Sequence, residues 1–168
     1  MVKIGDIVFV QTKGICEVLN IAKNAFVGCD KNKEYFVLKP VGSPNNMMVY
    51  FPTDTKVNIR KLTSKTKANN IFQNFASLED VDVKNEDERF KVYTDLSQSG
   101  ELEEWSKLLK TLLLRKSKTN KKQFAYQEQK YITTMLNCVV SELSYVLSKP
   151  QDEIKKTLFE SLGIEEER

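Results

Sequence analysis

The sequence contains no histidine among its 168 residues. Without an imidazole there is no Ser-His or Cys-His nucleophile pair, no histidine general base and no histidine-rich metal site. The glycine patterns G-x-x-x-x-G-K-[ST] and G-x-G-x-x-G, which hold phosphates, are missing, as is the G-x-S-x-G nucleophile elbow. We therefore predict that the protein is not an enzyme and has no catalytic residues, no small-molecule substrate and no cofactor.

Cysteines are few, and long apolar runs are absent. Cys16, Cys29 and Cys138 are odd in number and form no C-x-x-C pair, which favours reduced, packed thiols over a zinc or redox centre. No run approaches the roughly 18 apolar residues of a membrane span, and the N-terminus lacks the apolar stretch of about 7–15 residues of a secretory signal. We predict a cytoplasmic protein with no metal site and no membrane partner.

The net charge of +3 is small, but the charge is segregated along the chain. Lysine and arginine outnumber acidic residues eleven to five over residues 1–67 and nine to five over residues 101–150. Acidic residues dominate seven to three over residues 68–100 and six to three over residues 151–168. Two basic blocks with an acidic connector are typical of a protein that contacts polyanions or acidic protein surfaces at two places.

The first part of the chain has the pattern of short antiparallel strands. Hydrophobic residues with period two are interrupted by glycines, which predicts five strands near residues 7–11, 15–22, 34–39, 47–52 and 58–61. We expect a small β-barrel of Tudor or SH3 size over residues 1–67. The fourth strand is either buried on both faces or an edge that accepts a partner's strand by β-augmentation.

From Ala68 the hydrophobic period becomes helical, which predicts a compact all-α domain over residues 68–168 and an α+β fold class for the chain. Trp105 lies in an apolar stripe, where it either packs in the core or acts as a DNA wedge. The last helix is predicted to begin with a capping box at Ser148 and Gln151.

A basic run lies between two predicted helices. It consists of Arg115, Lys116, Lys118, Lys121 and Lys122. Such a run is either a solvated surface or a contact to phosphates at a helix corner. No helix is expected to present an array of amide or arginine side chains suited to base edges, so a contact to DNA would be largely independent of sequence.

Five segments of the chain together resemble the CarD/CdnL transcription regulators of bacteria. They are IGDIVFVQTKGICEVLNI at residues 4–21, KEYFVLK at 33–39, MMVYFPTD at 47–54, ERFKVYTDLSQSGELEE at 88–104 and EQKYITTMLNCVVSEL at 128–143. The first segment has the family's Gly-Asp-x-Val and Gly-x-x-x-Val patterns, and the last resembles its long helix. The order and spacing of these segments carry the resemblance.

The resemblance implies a factor that docks a Tudor-like domain on the lobe of the RNA polymerase β subunit. It also implies that the helical domain contacts promoter DNA at the upstream edge of the bubble and modulates the stability of the open complex. Carried over by position, the polymerase-binding residues are Lys23, Asn24, Met47, Met48, Val49, Tyr50 and Phe51. The DNA-binding residues are Arg89, Lys91, Arg115, Lys116, Lys118, Lys121, Lys122 and Lys130.

The chain departs from the resembling family at three positions. Relatives have arginines where this chain has Asn24 and Tyr50, and some have a DNA-wedging tryptophan where it has Glu86. The resemblance therefore implies a polymerase contact that relies on backbone pairing and apolar burial. Two alternatives stay open: an RNA- or ribosome-binding factor, and a protein–protein adaptor that binds no nucleic acid.

Overall fold

The computed structural model describes residues 1–44, 47–119 and 124–166. The chain divides into two compact units, Met1–Leu62 and Thr63–Arg168. The sequence predicts the division after Lys67, but the first helix already begins at Lys65. Of the helices in the described ranges, none combines the length and the hydropathy that crossing a bilayer requires.

The first unit is a five-stranded antiparallel sheet, as the sequence predicts. The strands are β1 (Ile7–Val10), β2 (Gly14–Ala22), β3 (Tyr35–Pro40), β4 (Val49–Pro52) and β5 (Ile59–Lys61). Their order across the sheet is β4-β3-β2-β1-β5. The β1–β2 turn returns the chain through Gly14, whose φ of 75° lies in the left-handed region that favours glycine.

The core of this unit follows from the alternation of side chains along the strands. The buried side chains are Val8, Val10, Cys16, Val18 and Leu38. Residues two apart on one strand point to the same face, so the valines and Cys16 share the buried face of the β1–β2 pair. Burial raises the pKa of the Cys16 thiol to about 11. All three cysteines are free thiols, and Cys16 behaves as a small apolar side chain, as predicted.

The second unit is helical, which confirms the α+β class. Its described residues form five α-helices: α1 (Lys65–Gln73), α2 (Arg89–Gln98), α3 (Leu102–Lys118), α4 (Tyr126–Leu147) and α5 (Gln151–Ser161). Two short 3-10 turns, Phe75–Ser77 and Glu86–Glu88, precede α2.

Trp105 on α3 is fully buried in the core of the helical unit, which confirms its predicted packing role. Its indole Nε1 donates a hydrogen bond to the carbonyl oxygen of Ser97 at 3.1 Å. The buried indole N–H is therefore satisfied, as burial of a polar group requires. Other large side chains in this core include Phe75, Tyr93, Leu102, Leu108, Leu109, Leu112, Met135, Leu143 and Ile154.

The predicted capping box at the start of α5 is wrong. Ser148 ends α4 as its C-cap, with a left-handed φ of 54°, and α5 has Pro150 at its N-cap without a side-chain capping bond. The serine hydroxyl cannot cap α5 because its backbone closes the preceding helix. The structure places capping chemistry instead at α4, where the Glu128 side chain accepts the backbone N–H of Ala125 at 3.1 Å.

Candidate interaction surfaces

The first candidate surface is β4, which is an edge strand of the sheet. Its pairing with β3 aligns Val49 with Leu38, Tyr50 with Val37, and Phe51 with Phe36. All four residues of β4 are half-buried, so neither face of the strand is fully covered. Of the two alternatives that the sequence leaves open, the structure therefore favours the edge.

The hydrogen-bond pattern of β4 determines which backbone groups point outward. The N–H of Thr53 donates to the carbonyl oxygen of Glu34 at 2.9 Å. Bonded and non-bonded pairs alternate in an antiparallel ladder, so the N–H groups of Phe51 and Val49 face β3. The same alternation directs the N–H and carbonyl of Tyr50 away from β3, toward the position that an added strand would occupy.

An aromatic cluster lies beside this edge, on the face of the sheet opposite to Val49 and Phe51. The Phe26 ring, from the loop between β2 and β3, lies 4.9 Å from the Tyr50 ring and 5.3 Å from the Tyr35 ring, centroid to centroid. The Tyr50 hydroxyl donates to the Met48 sulfur at 3.7 Å. Phe26 is 40% exposed and Val27 is fully exposed.

We call the residues Phe26, Val27, Met47, Met48 and Tyr50 the apolar rim of the edge. Four of them are exposed hydrophobic side chains, and Tyr50 is half-buried. The sequence predicted the residues around β4 as part of a binding surface but not Phe26 and Val27. These two lie in a loop without period-two alternation, so the sequence does not indicate which of its apolar residues are exposed to solvent. An exposed apolar patch next to an open strand edge is typical of a protein-binding surface.

Lys23 and Asn24, which the resemblance groups with the residues of β4 as polymerase-binding, lie in the turn after β2 and are exposed. Asn24 has a left-handed φ of 53°. Strand β3 lies between β2 and β4, so these two residues are not on the strand adjacent to the edge. The register places Ala22 opposite Tyr35, and Tyr35 opposite Pro52, so the turn lies at the Pro52 end of β4.

The predicted DNA-binding residues lie around the ends of three helices. Lys91 on α2, Lys118 on α3 and Lys130 on α4 are exposed, and Lys116 is half-buried on α3. The Lys130 ammonium lies 4.9 Å from the centroid of the Tyr126 ring. Lys121 and Lys122 lie outside the described residues.

Arg89 and Arg115 lie in an ion-pair cluster rather than projecting into solvent. Glu128 is fully buried, and its Oε1 accepts a hydrogen bond from Arg115 Nε at 2.9 Å. Arg89 Nε lies 3.4 Å from the same oxygen, an ion-pair distance whose geometry leaves this N–H without a hydrogen bond among the described residues. Glu86 Oε2 pairs with Arg89 Nη1 and lies 3.8 Å from Arg115 Nη2.

The cluster is charge-balanced and partly enclosed. The side chains of Arg89 and Arg115 are 13% and 34% exposed, whereas that of Glu86 is 70% exposed. Burial raises the pKa of the neighbouring Tyr93 phenol, and the negative charge of Glu128 raises it further. Two arginines thus face two carboxylates, one inside the unit and one at its surface.

The helix α1 and its C-cap carry four exposed amide side chains. The expectation that no helix presents an amide array suited to base edges stays a prediction. The exposed amides are Asn69, Asn70, Gln73 and Asn74. Two of them are already paired, because Asn74 Nδ2 donates to Asn70 Oδ1 at 2.8 Å. Charge-based reasoning missed this face, since amides carry no net charge. In the described part of the chain, no three histidine, cysteine or acidic side chains lie close enough together to hold a metal ion.

Comparison with known families matches both units. The family described as CarD-like/TRCF RID domain matches residues 2–63, and the family described as CarD, C-terminal domain matches residues 70–159. No curated protein matches the chain at a significant level. The two matches follow each other in chain order and together cover the sheet and most of the helices. The chain therefore belongs to the CarD-like family of RNA polymerase-interacting transcription regulators.

Proposed function

We propose that the Met1–Leu62 unit binds the lobe of the RNA polymerase β subunit by adding a strand of the lobe to β4. In this proposal the helical unit contacts promoter DNA near the upstream edge of the bubble and changes the lifetime of the open complex. The observation that supports it most directly is the open β4 edge, with the Tyr50 backbone directed outward, in a domain of a polymerase-interacting family.

The polymerase contact of this chain should depend little on salt. At two positions where the family resemblance implies arginines, this chain has the neutral residues Asn24 and Tyr50. The apolar rim offers apolar surface in their place. Ladder hydrogen bonds and apolar burial are screened far less by salt than exposed ion pairs are.

On the DNA side, the exposed lysines Lys91, Lys118 and Lys130 are the proposed phosphate contacts, with Lys116 beside them. Lysine contacts to phosphates add affinity without reading base sequence. Weak DNA binding is sufficient, because docking on polymerase holds the helical unit beside the promoter at an effective concentration of about millimolar for a short tether.

Paired variants of Tyr50 in the full-length chain test the strand-pairing mechanism. Tyr50→Ala removes the ring that contacts Phe26 but keeps the outward N–H, whereas Tyr50→Pro removes both. Calorimetry with the isolated β lobe should show a moderate loss of affinity for the alanine variant. The proline variant should lose about tenfold more, which corresponds to roughly one hydrogen bond.

Circular dichroism tests whether both variants keep the fold, and affinities are compared only between folded variants. Equal affinities of the two folded variants would contradict strand pairing. A pull-down of the full-length chain from bacterial lysate separates the proposal from the two alternatives, since it should retain RNA polymerase. Recovery of ribosomes without polymerase would favour the RNA-binding alternative.

A further inference from the structure

The cluster around Glu128 has an inner and an outer half. Inside, the Nε atoms of Arg89 and Arg115 lie 3.4 Å and 2.9 Å from Glu128 Oε1. Outside, the Nη1 atom of Arg89 and the Nη2 atom of Arg115 are directed at one oxygen, Oε2 of Glu86. Two guanidinium groups thus converge on a single surface carboxylate.

We propose that Arg89 and Arg115 form a binding site for a nucleic acid phosphate and that the Glu86 carboxylate occupies this site in the free protein. The inference rests on the proposed DNA contact and adds to it a masked site with its own occupant. Binding of DNA then exchanges the Glu86 carboxylate for a phosphodiester group, and no covalent bond changes.

The inner carboxylate, Glu128, holds the two arginines in the orientation that binds an anion. Glu128 is fully buried, and its second oxygen accepts the Ala125 N–H at 3.1 Å, so its position is fixed from two sides. Arginines that are already oriented lose little side-chain entropy when they bind an anion. The non-bridging oxygens of a phosphodiester can accept hydrogen bonds from two guanidinium groups. The carboxylate of Glu86 now accepts a hydrogen bond from Arg89 and forms an ion pair with Arg115 at 3.8 Å.

The outer carboxylate, Glu86, is the group that a phosphate can replace. The Glu86 side chain is 70% exposed, whereas that of Glu128 is fully buried. Glu86 begins the 3-10 turn Glu86–Glu88, in which every residue is exposed, so its side chain can rotate away without uncovering apolar surface. Exposed ion pairs contribute little stability, so exchange for a phosphate costs little.

The Glu86 carboxylate also determines the net charge that the cluster presents to DNA. With Glu86 in place, the two arginines are balanced by two carboxylates, so the cluster offers no net attraction to a polyanion. Removing the Glu86 charge leaves one net positive charge at the surface. A variant without this carboxylate should therefore bind DNA more tightly than the parent, although it loses an ion pair.

The comparison of Glu86→Gln with Asp87→Asn in the full-length chain tests the proposal. Both variants change the net charge equally and lie in the same turn, but only Glu86 pairs with the arginines. The measurement is the fluorescence anisotropy of a labelled DNA duplex of arbitrary sequence over a series of salt concentrations. We expect Glu86→Gln to bind about fivefold tighter with a salt slope steeper by about 1, and Asp87→Asn to gain less than about twofold.

When the protein also carries Arg115→Gln, the change Glu86→Gln should no longer increase the affinity for DNA. Circular dichroism confirms that the double variant is folded. Equal gains from Glu86→Gln and Asp87→Asn would overturn the proposal, because they would reflect net charge alone. Failure of Glu86→Gln to bind the duplex would overturn it as well. The proposed DNA contact is judged separately, by whether replacing Lys91, Lys118 and Lys130 weakens binding by the parent chain.

Discussion

The carboxylate of Glu128 on α4 bonds to a second helix through one oxygen and to the start of its own helix through the other: Oε1 accepts Arg115 Nε of α3 at 2.9 Å, and Oε2 accepts the N–H of Ala125, the N-cap of α4, at 3.1 Å. The side chain is fully buried. Because one buried carboxylate satisfies both a guanidinium and an unpaired helix N–H, its charge is part of how the helical unit is held together.

Glu128→Gln should therefore destabilise the protein. The neutral amide leaves Arg89 and Arg115 with a weaker inner partner, and we expect a loss of about 2–4 kcal/mol in the free energy of unfolding. Urea denaturation followed by circular dichroism measures it. Glu160→Gln, on the exposed face of α5, is the matched control and should change stability by less than about 0.5 kcal/mol. Equal effects of the two variants would contradict a structural role for the buried charge.

Trp105→Phe should destabilise the core of the helical unit. The change leaves a cavity and removes the donor to the Ser97 carbonyl, which together should cost about 2–4 kcal/mol. The same denaturation experiment measures this loss. A stability within about 0.5 kcal/mol of the parent would show that the buried indole is dispensable.

Phe26→Ala should weaken binding to the polymerase β lobe. The ring is 40% exposed and packs on Tyr50 at the edge strand, so it is placed to contact a partner seated on β4. We expect the affinity to fall about 5- to 30-fold, measured by calorimetry. Val41→Ala, which shortens another exposed apolar side chain of the same unit, is the control and should bind as the parent does. A parent-like affinity of the Phe26 variant would place the contact elsewhere.

Replacing Lys91, Lys118 and Lys130 together with glutamine should weaken DNA binding and flatten its salt dependence. If each lysine contacts one phosphate, the slope of log affinity against log salt should become shallower by about 2–3. The control replaces Lys13, Lys31 and Lys56, three exposed lysines of the sheet unit, so that the net charge changes equally. Identical slopes for both triple variants would count against contacts at the three helices.

The sheet unit should lose stability in acid through Asp6. Its carboxylate accepts the Lys3 N–H at 2.8 Å and pairs with Lys61 Nζ on β5 at 3.1 Å, and these bonds hold the pKa of Asp6 below its ordinary value of 3.8. A carboxyl group with a lowered pKa stabilises the fold above the unfolded-state pKa, and this contribution disappears as the pH falls through the folded-state pKa.

Asp6→Asn should therefore lower the melting temperature near neutral pH, and the difference from the parent should shrink as the pH falls below about 4. Thermal denaturation monitored by circular dichroism across this range provides the measurement. Asp95→Asn, an exposed aspartate of the helical unit, serves as control. A difference that stays constant down to the lowest pH would show that the Asp6 charge is not the cause.

Local patterns predicted the elements of this fold, because alternation and helical spacing are properties of neighbouring residues. Five strands and the burial of Trp105 followed from them. The position of β4 at the edge did not, since strand order depends on pairing between distant segments. The family resemblance marked Arg89 and Arg115 as DNA contacts, and charge marked the basic run that contains Arg115, whereas the pairing of both arginines with Glu128 is visible only after the helices have packed.

The shortness of β4 has a consequence for aggregation. Edge strands are templates for uncontrolled sheet growth, and long flat edges are the most hazardous. Here the strand has four residues, Tyr50 supplies the one outward N–H within it, and Pro52 ends it without a donor. An edge of this length can hold a partner whose side chains add contacts along the apolar rim. It is too short to propagate a fibril from backbone pairing alone. The protein can therefore keep an edge strand that binds a partner without aggregating through that edge.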